Sequence, residues 1–118
     1  MNKEISLASQ FVPYELSLKL KNIGFNEPCF GGWDDDKIWY YHPDSDIIVD
    51  APLWQQAFDW FREKHSLHAL NSPLLNNEWS VVIDNTLNSN QVYWSKRVGY
   101  QEARQDCLEK LIEICKNQ

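Results

Sequence analysis

"LWQQAFDWFREKHSLHAL", Leu53 to Leu70, decides most of the fold. At 100° per residue, Trp60, Leu53, Ala57, Phe61, Trp54, His65 and Phe58 fall in one arc of about 160°. Gln55, Asp59, Arg62, Glu63 and Gln56 take the opposite side. The pattern predicts an amphipathic helix over 52–65, with Asp50 or Ala51 as its cap and Pro52 in its first turn. Trp54, Phe58 and Phe61 are then core residues. The tail of the stretch changes period. "SLHALNSPL" reads as a short strand that leads into a turn at Asn71-Ser72-Pro73.

Upstream, "PYELSLKLKNIGF" places Pro13 at a helix start and Gly24 just past its end. Leu16, Leu20 and Ile23 share one face, which predicts a helix over 13–23. "CFGGWDDDKIWYYHP" has two aromatic runs around an aspartate cluster and reads as a β-hairpin, 29–33 and 37–42. Alternation puts Ile38, Tyr40 and His42 on one face and Trp39 and Tyr41 on the other. Gly31-Gly32 lets the hairpin bend, or lets an aromatic ring pack on bare backbone. "DIIVDAP" reads as a connection with a short extended piece.

Downstream, "EWSVVIDN" predicts a strand with Trp79, Val81 and Ile83 on one face, and "QVYWS" a further strand. Asn76-Asn77 and Asn88-Ser89-Asn90 supply turn chemistry. "YQEARQDCLEKLIEICKN" is the clearest helix. Leu108, Leu111 and Ile112 belong to its apolar arc and are core candidates, while Glu102, Glu109 and Glu113 face away. Arg104 falls inside that arc, so its stem is expected to pack on the core with its head at the rim. The order is α-β-β-α-β-β-(β)-α. It predicts a single α+β domain over 1–118, with residues 1–10 as a flexible lead-in. Three helices lie mostly on one face of a mainly antiparallel sheet of four or five strands.

Composition bounds the function. The chain of 118 residues is 43% hydrophobic and 24% charged, an ordinary globular balance. Its net charge is −6 and its pI about 4.9. Direct nucleic-acid binding is disfavoured, because gripping phosphates needs a basic surface. Asp34, Asp35, Asp36, Asp44, Asp46 and Asp50 cluster with Lys37 as the only cation among them. The cluster is a solvated acidic region, a cation site or a surface for basic partners. It lacks the ligand order and closing Glu of an EF-hand.

His65 and His68 are the best-spaced metal candidates, with His42 the only other histidine. Zinc needs three or four supported ligands, and a helix ending near His65 turns the two rings apart. No metal and no cofactor are expected. Cys29, Cys107 and Cys115 form no C-x-x-C pair. Cys107 and Cys115 lie ~12 Å apart on a helix, too far to bridge. "MNKEISLASQ" has no apolar signal region, no stretch approaches a membrane span, and the expected location is the cytoplasm. No phosphate loop, dinucleotide fingerprint or nucleophile elbow is visible.

Three blocks carry a resemblance: "FVPYELSLKLKNIGFNEPCF", "LWQQAFDWFREKH" and "YQEARQDCLEKLIEI". Together they resemble small uncharacterised proteins of bacterial phages, prophages and mobile elements. The resemblance covers about half the chain, in blocks from end to end. Residues 34–50 and 71–95 lie outside it. It implies a cytoplasmic accessory role and carries over no catalytic or binding residue.

Helices that cover one sheet face leave aromatics on the other, and exposed apolar patches mark contact surfaces. The expected surface is Trp33, Trp39 and Tyr41, with Asp34, Asp35 and Asp36 beside them. The function expected is non-enzymatic protein–protein contact, either self-association or binding of a host or phage protein. Two alternatives stand beside it. One is an acidic nucleic-acid mimic or inhibitor of a host protein. The other is a small-ligand or metal-dependent enzyme using His42, His65 or His68.

Overall fold

Pro13 and Gly24 bracket the first helix, and each does so through its backbone. The computed structural model describes residues 7–117. Helix α1 spans Tyr14–Asn22, with Pro13 as its extended N-cap at φ −61°. At the far end Phe25 N–H donates to Leu20 O and Gly24 N–H to Lys21 O. That pair of bonds is a Schellman motif, and it needs the left-handed φ of +104° that Gly24 adopts. Leu16 and Leu20 are buried. Of the expected flexible lead-in, residues 1–6 lie outside the described residues, and Leu7–Gln10 forms a 3-10 turn.

The hairpin exists but is shorter than expected: β1 is Gly31–Trp33 and β2 is Trp39–Tyr41. "DIIVDAP" is more than a connection. Val49–Ala51 forms β3, which pairs with the other edge of β1. The sheet is antiparallel in the order β2-β1-β3. Its central strand is built on the two glycines. A Cβ on Gly31 would sit 2.5 Å from the Trp39 ring, and one on Gly32 would sit 2.6 Å from the Ile47 side chain. Bare backbone is therefore what lets a ring and a third strand close in on β1.

Helix α2 spans Trp54–His65 and starts two residues later than predicted. Asp50 and Ala51 cannot cap it because Ala51 is paired with Gly31 in β3. Pro52 O is also taken, accepting Val12 N–H at 2.8 Å. Gln56 caps instead: its Oε1 accepts Leu53 N–H at 3.3 Å, the reach-back half of a capping box. The chain divides into two compact units inside this helix, between Ala57 and Phe58.

In the second unit, α2 is followed by a three-stranded antiparallel meander and a long helix. The strands are β4 at Leu67–Pro73, β5 at Glu78–Asn85 and β6 at Asn90–Val98. The expected turn at Asn71-Ser72-Pro73 is in fact the end of β4, paired with Val81, Ser80 and Trp79. The reversal comes at Asn76-Asn77, both at positive φ. Helix α3, Tyr100–Lys116, packs on this sheet. Cys107, Leu108, Leu111 and Ile112 are buried on α3, and Leu67, Val81 and Ile83 are buried on the sheet. On α2, Phe61 is fully buried and Trp60 nearly so, while Phe58 is half-buried.

Among the described residues the architecture is α+β, with three α-helices and six strands in two antiparallel sheets, in the order α-β-β-β-α-β-β-β-α. This corrects the expectation of one sheet with four or five strands. The strand missed is β3, and it exists because Gly31-Gly32 frees both edges of β1.

Candidate functional site

Asp34 organises the hairpin turn. Its Oδ1 accepts the N–H groups of Asp36 at 2.8 Å and Ile38 at 2.9 Å. Asp34 N–H in turn donates to Ile38 O at 3.0 Å, and Lys37 takes the positive φ the turn requires. The Ile38 N–H, the Tyr40 hydroxyl and the Asp36 N–H hold the Asp34 carboxyl below its ordinary value. The same bond raises the Tyr40 phenol, with further contributions from burial and the charges of Asp34, Asp46 and Asp44. Asp34 is thus buried inside the turn, whereas Asp35 and Asp36 are exposed. Lys37 reaches out to Glu15 at 3.1 Å.

The aromatics divide in the same way. Trp33 is half-buried, and its Nε1 donates to Val12 O at 2.9 Å. Trp39 is half-buried against Phe11 at 4.5 Å, and meets Tyr41 edge-on at 4.6 Å. The Trp39 Nε1 atom is buried without a hydrogen-bond partner. Tyr41 itself is 61% exposed, Phe30 65% and Ile38 51%. Of the three rings expected on the surface, Tyr41 is the exposed one, and Trp39 packs against it. The sequence places Phe30 inside a strand, and that hides its exposure. It lies just before β1, where its O accepts His42 N–H at 2.8 Å.

Beside this sheet lies a half-open cleft of about 280 Å³, lined by Ser17, Lys21, Phe25, His42, Asp44 and Asp50 among others. His42 Nε2 and Asp50 Oδ1 are 2.6 Å apart. The Ser17 hydroxyl already donates to Val12 O at 2.9 Å, so it is not held by the histidine. A carboxylate-oriented imidazole facing a cleft is one half of a general-base arrangement. No nucleophile among the lining side chains is activated by it.

The other histidines are placed differently. His65 ends α2 with its ring edge-on to Trp60 at 4.8 Å. His68 lies on β4, past Ser66 at φ 57°, so the helical spacing is broken between them. Among the described residues, the grouped metal-type side chains are Asp34, Asp35 and Asp36, whose carboxylates lie within 4.8 Å of one another. The thiols are quiet: burial pushes Cys29 and Cys107 up to about 12 and Cys115 to about 11. A thiol that stays protonated at neutral pH is a poor nucleophile.

In the second unit a polar cluster joins β6 to α3. Tyr93, Ser95 and Arg97 alternate along the strand and so share one face. All three donate to Asp106, at 3.0, 2.6 and 3.1 Å. Arg104 is half-buried with its guanidinium 5.3 Å above the Tyr100 ring, and burial lowers its pKa. No helix among the described residues is long and apolar enough to cross a membrane.

A scan against protein-family models, a search of curated proteins and a search of solved structures each return no match. The fold and the site geometry are therefore the basis for function.

Proposed function

We propose that this is a non-enzymatic accessory protein that binds a protein partner through the hairpin of its first sheet. One observation carries the reading. Phe30, Ile38 and Tyr41 are all more than half exposed on the hairpin, and Tyr41 packs edge-on against a half-buried Trp39. Exposed aromatics on a pre-organised support give contact area at small entropic cost. Asp35 and Asp36, exposed at the turn, favour a partner with basic residues at the rim. Such a surface also suits a protein that occupies a basic nucleic-acid-binding site on its target. The place of the protein in a phage or mobile element rests on the sequence resemblance alone.

Capture from a bacterial host with the wild-type chain and with a Phe30→Ala/Tyr41→Ala variant tests this. A partner retained by the first and lost by the second is the expected result. A partner retained equally by both, with the variant folded, rejects the hairpin as the surface.

The cleft at His42 and Asp50 favours a second reading, a small-ligand site. It would take a polar compound small enough for about 280 Å³. Thermal shift of wild type and His42→Ala against a metabolite panel separates the two readings.

A further inference from the structure

The second sheet has one face covered by α3 and one face bare. Along β4, β5 and β6, inward residues such as Leu67, Val81 and Ile83 are buried. The outward residues are not: Leu70 is 51% exposed, Trp94 55%, Val92 44% and Val98 64%. The register sets Leu70 opposite Val82 and Val82 opposite Trp94. An apolar row therefore crosses all three strands on the open side. On one side of it runs the row Ser72, Ser80, Lys96, and on the other His68 and Asp84. Asp84 makes no ion pair among the described residues, and Lys96 makes only a long one, 3.8 Å to Glu78.

The edges of this sheet are guarded. β4 ends in Pro73, which lacks a donor, and β6 carries Lys96, Arg97 and a register shift opposite Ile83/Asp84. A partner is directed to the face. We propose that the partner is a second copy of this chain, packed face to face on the Leu70–Val82–Trp94 row about a two-fold axis lying along that row. The axis lays the row on itself and exchanges the flanking rows. Asp84 then faces Ser80 of the second copy and stands diagonally next to its Lys96, twice over. No carboxylate of the two rows meets another. Interfaces of this type are isologous, so each pairing occurs in duplicate.

Size sets the strength. Three strands ~4.8 Å apart and ~23 Å long give a footprint well below the ~800 Å² per partner of a standard interface. The net charge of −6 on each copy also opposes association. The dimer is accordingly weak and concentration-dependent. This surface is independent of the hairpin, so the failure of either proposal leaves the other standing.

Sedimentation velocity over a wide concentration range tests it, with circular dichroism to verify that each variant folds. The wild-type chain shifts from monomer toward dimer as concentration rises. Trp94→Ala weakens that association about tenfold or more, as expected for a central aromatic. Asp84→Lys and Lys96→Asp each weaken it, and the double exchange restores it. A wild-type chain that stays monomeric throughout overturns the proposal. So does a dimer that survives Trp94→Ala, or a double exchange that fails to restore association.

Discussion

Asp34 performs a different task from the one its place in an aspartate run suggests, whereas Gly31 performs the one its sequence offers. Asp34 reads as one of three equivalent turn acids, yet its carboxylate accepts two backbone N–H groups and holds the hairpin closed. Its pKa is lowered from the ordinary 3.8. A depressed folded pKa means the contribution is complete above about pH 4 and is lost as pH falls through the folded value. The stability difference between wild type and Asp34→Ala, from urea titrations at several pH values, should therefore shrink in acid below pH 4. A difference that stays constant there would show that the charged form is irrelevant. Gly31 gives an aromatic ring bare backbone to pack on, one of the two roles its sequence suggests. Its missing Cβ leaves room for the Trp39 ring. Gly31→Ala forces a methyl into that ring and into strand backbone, an overpacking that costs about 1–3 kcal/mol. A shift of that size in the urea midpoint at unchanged slope is the expected readout.

At the scale of elements, the Asp106 cluster is the polar tie between α3 and β6. Asp106→Ala leaves the Tyr93 hydroxyl, the Ser95 hydroxyl and Arg97 without their common acceptor. Hydrogen bonds to a charged group contribute about 1.5–3 kcal/mol. Asp106→Ala should lower the stability of the second unit by roughly that amount, with amide exchange in β6 rising first. What the sequence could reveal follows from length and period. Helices α2 and α3 are long enough for the 3.6 repeat to be counted, and α1 is marked by Pro13 and Gly24. The Asn76-Asn77 turn declares itself by residue type. Strand β3, in contrast, is three residues, Val49–Ala51, with no period to detect. Its partner edge exists only because of Gly31-Gly32, far away in sequence. In β6, "QVYWS" shows aromatics on both faces. Nothing local says that Tyr93 turns in to Asp106 while Trp94 turns out. The candidate site was legible in part for the same reason: the hairpin aromatics are visible as a group, but the support of Trp33 by Val12 and Trp39 by Phe11 is tertiary.

For the whole molecule, the six tryptophans of the sequence sort by environment, and the sorting is measurable. Trp54 and Trp60 are buried at 8% and 7% exposure. Trp33, Trp39 and Trp79 are half-buried, and Trp79 lies 4.9 Å from the Tyr100 ring. Trp94 alone is exposed. A chain that merely carried surplus aromatics would spread exposure over several of them. Here one indole stands in solvent, at the end of the Leu70–Val82 row. Acrylamide should therefore quench one class of emitters readily in dilute solution, and Trp94→Phe should remove most of that accessible fraction while leaving the blue-shifted emission of the rest. Association over the sheet face predicts a second effect in the same experiment. Raising the wild-type concentration should protect the accessible class, because the two-fold lays Trp94 against its own copy. Tyr41→Ala uncovers Trp39 in the hairpin but should leave the concentration dependence of the quenching unchanged. If quenching of Trp94 is instead independent of concentration while sedimentation reports a dimer, the copies meet elsewhere and the bare sheet face belongs to another partner.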